Sequence, residues 1–312
     1  MKLLLIHTGG TIGMLATPTG FAPVDGVIEA TLADLGASHV TLLPLLPLID
    51  SSQATPADWN RIAQAIFDNH SDYNGFIVTH GTDTLAFTAS ALCFALAGLK
   101  RPVILTGAMR PLTVENSDGV QNLQDALNAA ASAPPGIWVQ FAGQLLHGAR
   151  VRKAHSSALD AFTASRSALP PLQPGKTPTL TPYKPSEIAI LSMAPGQSEA
   201  FLSHALTTLD AVVLRVFGAG TIPETPALRA GLLAAQARNT PVIAISQSPK
   251  GGIALGTYAA GNLMLESGVI DGRDMTPEAA YTKLAHVLSL PAEQRQAALA
   301  RILCGEVSAS RP

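Results

Sequence analysis

The chain predicts an α/β fold of two domains, a larger N-terminal one built on a parallel sheet and a smaller C-terminal one. Three observations carry this. Short apolar runs alternate with longer segments of helical periodicity in both halves. The runs are apolar throughout, as are strands of a parallel sheet covered on both faces. A single proline-rich interval interrupts the alternation near the middle of the chain.

Residues 3–7, 39–46, 75–79, 102–106 and 136–141 read as buried strands, and 144–155 (QLLHGARVRKAH) as a further strand-like run. The first run, Leu3–Ile6, is too short for the apolar region of a secretory signal and stops at His7, so it is expected to be a strand. Residues 56–70 form a helix pattern, with Thr55 as N-cap, Pro56 at the first helical position and Asp58 in the first turn. Further helices are expected at 84–97 and 118–132. Residues 165–186 hold six prolines and little apolar periodicity, as an extended linker does. Beyond it come strands at 187–192, 211–216 and 241–246, and helices near 197–208, 225–237, 276–289 and 291–304. The expected division is residues 1–164, a linker 165–186, and residues 187–312.

Composition excludes several classes. Of 312 residues 47% are apolar and 13% charged, yet no run approaches the ~18–20 apolar residues of a membrane helix. A net charge of −2 without a basic block argues against nucleic acid as a partner. The two cysteines, Cys93 and Cys304, lie in apolar, helix-like contexts, as reduced core thiols of a cytoplasmic protein do. No CxxC or HExxH spacing suggests a metal.

In a parallel α/β sheet, ligands sit beyond the carboxyl ends of the strands. The residues that follow the first four strands are Thr8-Gly9-Gly10-Thr11, Asp50-Ser51-Ser52, His80-Gly81-Thr82-Asp83-Thr84 and Thr106-Gly107-Ala108-Met109-Arg110. Small residues, hydroxyls and two carboxylates make a rim suited to a small polar ligand. The first loop has neither the GxGxxG spacing of a dinucleotide site nor the GK[ST] ending of a P-loop. Taken alone, it reads equally as a tight turn whose threonines cap the backbone. The third loop offers a partner. A threonine hydroxyl must lose its proton as it attacks, and a carboxylate is too weak a base at neutral pH. A lysine beside it would serve, and Lys153 is the candidate, although an exposed strand lysine fits the spacing as well.

HTGGTIG, GFIVTHGTDTL, TGAMRP and VRKAH, in this order, resemble the bacterial L-asparaginase family, especially its shorter, cytoplasmic type I branch. DSSQATPADW, AAGN and DMTPEAAYTKL extend the resemblance over essentially the whole chain. It implies a flavodoxin-like, doubly wound first domain and hydrolysis of L-asparagine to L-aspartate and ammonia, without a cofactor. Thr11 matches the family's nucleophile, and Thr82, Asp83 and Lys153 its second constellation. Asp50, Ser51, Ser52, Thr82 and Asp83 match positions that hold the amino-acid end of the substrate, and the backbone near Ala108 would hold the departing amide. Backbone N–H groups around Gly10 and Gly81–Asp83 are candidate donors to the tetrahedral oxyanion. The family also implies a homodimer or homotetramer with sites at the subunit interface, the region around Asn262 and Glu266 completing a neighbour's site.

One position departs from the pattern. Where relatives carry a lid tyrosine, this chain has Phe21, in a stretch (Thr17-Pro18-Thr19-Gly20) poor in apolar anchors and expected to be mobile. Arg152 and Ser248 also depart, at positions linked to an effector site, so that regulation is not expected here. His80 is expected to orient its loop and Arg110 to brace one. Arg215 is expected at interface or effector contacts. Two other readings stand beside the hydrolase: a subunit of a tRNA-dependent amidotransferase, and a non-catalytic amino-acid-binding module made conceivable by Phe21.

Overall fold

The computed structural model describes residues 1–18 and 20–308, in two compact units, Met1–Tyr183 and Lys184 onward. In the first unit, β1 (Leu3–His7) leads through a 3-10 turn (Thr11–Gly13) to a hairpin of β2 (Met14–Thr17) and β3 (Gly20–Pro23). Then follow α1 (Val27–Asp34), β4 (Val40–Pro44), α2 (Pro56–Asn69), β5 (Gly75–Thr79) and α3 (Leu85–Ala95). Next come β6 (Leu96–Ala97), β7 (Pro102–Thr106), α4 (Gly119–Ser132), β8 (Gly136–Phe141) and β9 (Gln144–His147). The unit ends with β10 (Val151–Lys153), β11 (Phe162–Ala164) and β12 (Thr179–Leu180).

Its main sheet has the order β4-β1-β5-β7-β8-β9, parallel except for β9. Counting only the parallel strands, this is 2-1-3-4-5, the flavodoxin-like doubly wound order, whose switch point lies between β1 and β5. The unbroken apolar runs are explained by burial on both faces. Leu3, Leu5, Ile77 and Ile104 pack with Leu123, Ala126 and Ala130 of α4, while Leu4, Ile6, Phe76 and Val78 are equally buried opposite. At the start of α2, Asp58 accepts hydrogen bonds from the Thr55 N–H and hydroxyl, both 3.0 Å.

In the second unit, β13 (Ile188–Ser192), α5 (Glu199–Thr208), β14 (Ala211–Val216), α6 (Pro226–Ala237) and β15 (Val242–Ser246) alternate as expected. α7 (Asn262–Glu266), β16 (Ile270–Asp271), α8 (Pro277–Ser289) and α9 (Ala292–Ala300) complete it. The four strands pair in parallel in sequence order. Period two divides β14: Val212, Leu214 and Val216 face the core built with α5 and α6, and Ala211 and Val213 the core built with α8.

Four of the expected segments end or pack differently in the structure, each because of a specific contact. The helix expected over 84–97 stops at Ala95, because Leu96 turns extended and β6 pairs antiparallel with β12. That pairing keeps residues 165–183 on the first unit. Gly98 donates to Gln173, Tyr183 donates its hydroxyl to the Ala91 carbonyl at 2.8 Å, and Leu172 and Tyr183 are buried. The run 144–155 breaks into β9 and β10 at Gly148, where a Cβ would stand 2.4 Å from the Ile137 carbonyl oxygen. The last helix ends at Ala300 instead of 304. Glu306 takes the Leu303 and Cys304 N–H groups, so Cys304 is buried in a loop and not in a helix. Of the lid stretch, Thr19 lies outside the described residues, and the rest is the β2–β3 hairpin.

Candidate active site

The fold's switch point gathers the predicted loops, and glycines set how closely they meet. Gly9 and Gly10 have φ of 116° and 90°, a region open to glycine and strained for other residues. A Cβ on Gly10 would lie 2.5 Å from the Gly81 nitrogen, so the loop after β1 presses directly on the loop after β5. A Cβ on Gly81 would meet the Ser51 hydroxyl at 2.3 Å, and one on Gly107 the His80 carbonyl at 2.4 Å. The first, third and fourth loops therefore meet backbone to backbone, and the second reaches the third through the Ser51 side chain. Thr11 and Thr82, which follow Gly10 and Gly81, start from touching peptide segments.

The two threonines of the first loop divide their roles. Thr8 is buried, and both its N–H and its hydroxyl donate to the Thr79 carbonyl, the latter at 2.7 Å. Thr11 opens the 3-10 turn and stays half-buried. The backbone-capping role therefore belongs to Thr8.

The third loop meets β10. Lys153 donates from Nζ to Thr82 Oγ1 at 3.0 Å and to Asp83 Oδ1 at 2.8 Å. The Thr82 side chain is buried while the Asp83 side chain is 64% exposed, so the cluster opens to solvent through its carboxylate. Beneath it, buried His80 faces the Gly81 carbonyl through Nδ1 (2.8 Å) and the Thr88 hydroxyl through Nε2 (3.0 Å). A carbonyl only accepts, so Nδ1 carries the proton and Nε2 accepts from Thr88. Burial holds the His80 pKa below its usual value, partly opposed by the bond to Gly81. The planar trans peptide puts the Thr82 N–H on the side opposite the carbonyl that His80 holds.

Asp50 caps its own 3-10 turn (Ser51–Gln53), accepting from the Ser52 N–H and hydroxyl and the Gln53 amide at 2.8–3.0 Å. The Ser52 N–H first, then Gln53 and the Ser52 hydroxyl, keep its pKa below the ordinary carboxylate value. Ser51 is buried, and its carbonyl accepts from the Thr84 hydroxyl at 2.7 Å, which ties the second loop to the third. Buried Ala108 lies in the fourth loop, whose shape is held by Asp118. The Asp118 carboxylate accepts the Met109 and Arg110 N–H groups, both at 2.9 Å, and Asn122 donates to the Gly107 carbonyl at 3.0 Å.

Sequence reading placed Thr84 in the third loop without a role and passed over Asp118 and Asn122. Their one signal was the position of polar side chains at helix starts beside the loops. Phe21 sits on β3, 52% exposed, and Arg110 donates to the Asn116 carbonyl. In the second unit, Glu266 pairs with Arg229 at 3.0 Å. Arg215 there donates to the Ser192 hydroxyl and the Gln247 carbonyl. Among the described residues, no group of three or more His, Cys, Asp or Glu side chains is placed to hold a metal ion, and no helix is long and apolar enough to cross a membrane.

Comparison with known proteins matches both units. The family model described as "Asparaginase, N-terminal" covers residues 2–177, and "Glutaminase/Asparaginase C-terminal domain" covers residues 187–300. The L-asparaginase 1 of Escherichia coli (strain K12) is 37% identical over 98% of this chain and 98% of its own. The solved thermostable L-asparaginase from Thermococcus kodakarensis is 34% identical, with a TM-score of 0.89 over 99% of this chain and 100% of that one. L-asparaginase I from Vibrio cholerae is 37% identical, with a TM-score of 0.86 over 98% of this chain and 99% of that one.

Proposed function

The chain belongs to the asparaginase family, and on that footing we propose that it hydrolyses L-asparagine to L-aspartate and ammonia through a threonine acyl-enzyme. The observation that carries the reading is the lysine between a hydroxyl and a carboxylate, Lys153 Nζ lying 3.0 Å from Thr82 and 2.8 Å from Asp83.

Thr11 Oγ1 attacks the carbon of the side-chain carboxamide. The C–N bond breaks, the hydroxyl proton travels to the departing nitrogen, and ammonia leaves an ester on Thr11. Water activated at Thr82 then attacks the ester, and aspartate departs as Thr11 regains its proton. Thr82 gives its proton across the 3.0 Å contact when Lys153 is the neutral amine, and Asp83 holds the resulting ammonium. Backbone N–H groups around Gly10 and Gly81–Asp83 stabilise the oxyanion, where one lost donor costs about 3 kcal/mol. Asp50, Ser51, Ser52 and Asp83 take the amino-acid end of the substrate, and the backbone near Ala108 takes the leaving amide.

A side activity on glutamine is expected to be weak, because one extra methylene changes pocket fit by about 1–3 kcal/mol. The reading includes a homo-oligomer and a cytoplasmic setting, the latter supported by the buried Cys93 and Cys304, which form no disulfide.

The test is ammonia release from asparagine by the wild type and by Thr11→Ala. Loss of release in the variant supports the mechanism, and equal rates overturn it. Phe21 sustains a second reading, a binding module, because it brings no hydroxyl to the hairpin beside the first loop. Calorimetry that finds tight aspartate binding without turnover would favour that module over the enzyme.

A further inference from the structure

The 3-10 turn that carries Thr11 rests on a side chain the mechanism does not use. His7, the last residue of β1, is buried. Its Nδ1 lies 2.7 Å from the Thr79 hydroxyl at the end of β5. The opposite edge of the ring meets the turn. A Cβ on Gly13 would stand 3.0 Å from His7 Cε1 and 3.2 Å from Nε2, with Ile28 next at 3.9 Å. Gly13 does not have the left-handed φ of Gly9 and Gly10. A side chain here would therefore press on the imidazole beneath it, while the backbone itself sets no demand for glycine.

From this contact we infer that His7 is a positioning residue, a strut between the Thr79 hydroxyl and the floor of the Thr11–Gly13 turn that sets the height of Thr11 above the sheet. The inference rests on the role proposed for Thr11. The rest of the turn is held at its sides. Gly13 N–H donates to the Gly10 carbonyl at 3.1 Å, Val24 N–H to the Gly13 carbonyl at 3.3 Å, and Leu112 N–H to the Ile12 carbonyl at 3.5 Å. These bonds fix the shape of the turn. The ring fixes its distance from β1, the direction in which a nucleophile approaches or retreats from a substrate lying over the carboxyl ends of the strands. Burial keeps the ring neutral against the pull of Glu29 on α1 and Asp25 before it, so it packs as an uncharged wedge.

The test is a mutant cycle on His7 and Gly13, read as kcat/KM for asparagine per folded enzyme and as the Kd of aspartate by calorimetry. Gly13→Ala pushes on the ring, and kcat/KM is expected to fall by about tenfold or more, since displacements near 1 Å cost up to about 100-fold. The aspartate Kd should stay within about twofold, because Asp50, Ser51 and Asp83 lie on other loops. In a His7→Asn background the added Gly13→Ala should cost nothing further, the wedge being gone. Thr79→Val, which keeps the volume and removes the bond at Nδ1, should lower kcat/KM in the same direction, and it serves if Gly13→Ala does not fold. A Gly13→Ala or Thr79→Val protein with wild-type kcat/KM and only a lowered Tm overturns the strut, as does a Gly13→Ala penalty that persists in full in His7→Asn. Wild-type turnover by Thr11→Ala fails the proposed nucleophile instead, and the two failures are told apart by that one variant.

Discussion

Two lysine–carboxylate pairs of the same length, 2.8 Å, lie one in each unit. Lys283 on α8 reaches Glu306 where both side chains are almost wholly buried, and its Nζ also donates to the Arg301 carbonyl at 2.7 Å. Glu306 accepts the Leu303 and Cys304 N–H groups in turn. Although burial favours the protonated acid, Lys283, with the Cys304 and Glu306 N–H groups, brings the Glu306 pKa below its ordinary value. Lys153 instead pairs with a carboxylate that is 64% exposed and lays its second hydrogen bond on a hydroxyl. A pair open to water contributes little stability, about 0–1 kcal/mol. A closed pair holds residues 301–306 in place. The two contacts therefore differ in their surroundings: the Lys283 pair is shut from water, whereas the Lys153 pair is open to it through Asp83 and reaches a hydroxyl as well.

The largest effect that separates the pairs is on rate. Lys153→Met should lower kcat on asparagine by about 10²–10⁴-fold while Tm scarcely moves. A large fall in Tm with turnover intact would erase the distinction. Lys283→Met should do the reverse. It leaves the Glu306 carboxylate buried without its ammonium, at about 3–5 kcal/mol, and the loss should be read by chemical unfolding with wild-type turnover in the folded fraction.

The neighbour of the closed pair sharpens the contrast through pH. Burial first, then Lys283, lowers the His286 pKa from 6.5 to about 4. The unfolded chain therefore binds the proton more readily, so this part of the stability is complete above pH 6.5 and declines toward pH 4. The decline is about 3 kcal/mol by the linkage relation, and His286→Leu should flatten it in urea titrations across that range. The smallest effect concerns the hairpin. Phe21→Tyr supplies a hydroxyl near the first loop and should raise kcat by less than about tenfold, with Tm unchanged. A fall in kcat would show that the apolar ring is what the hairpin needs.

Much of the fold was legible locally. Apolar runs of four to six residues between helix patterns could only be strands buried on both faces, as Leu3–His7 and Pro102–Thr106 are. The errors came where a distant partner decided. Leu96 and Ala97 have helical neighbours but pair with Thr179 and Leu180, and no window on the sequence contains both segments. Residues 165–183 look like a linker by composition, and only the buried Tyr183 and Leu172 show that much of this stretch packs on the first unit. In the site, motif resemblance brought Thr11, Thr82, Asp83 and Lys153 onto one page. It carried no signal for Asp118, which shapes the fourth loop from the start of a helix, and it included Thr84 without the role of its hydroxyl, which ties the second loop to the third.

By itself the sequence determined the alternation of strands and helices, the hydroxyl-rich ends of the strands and the glycines between them, since periodicity and steric size are properties of neighbouring residues. Only the tertiary structure decided that Thr8 caps the backbone while Thr11 stays half-buried, and that Lys153 serves a hydroxyl while Lys283 holds the loop of Glu306. Those assignments depend on which segments touch across tens of residues of chain, and on how much water remains where they meet.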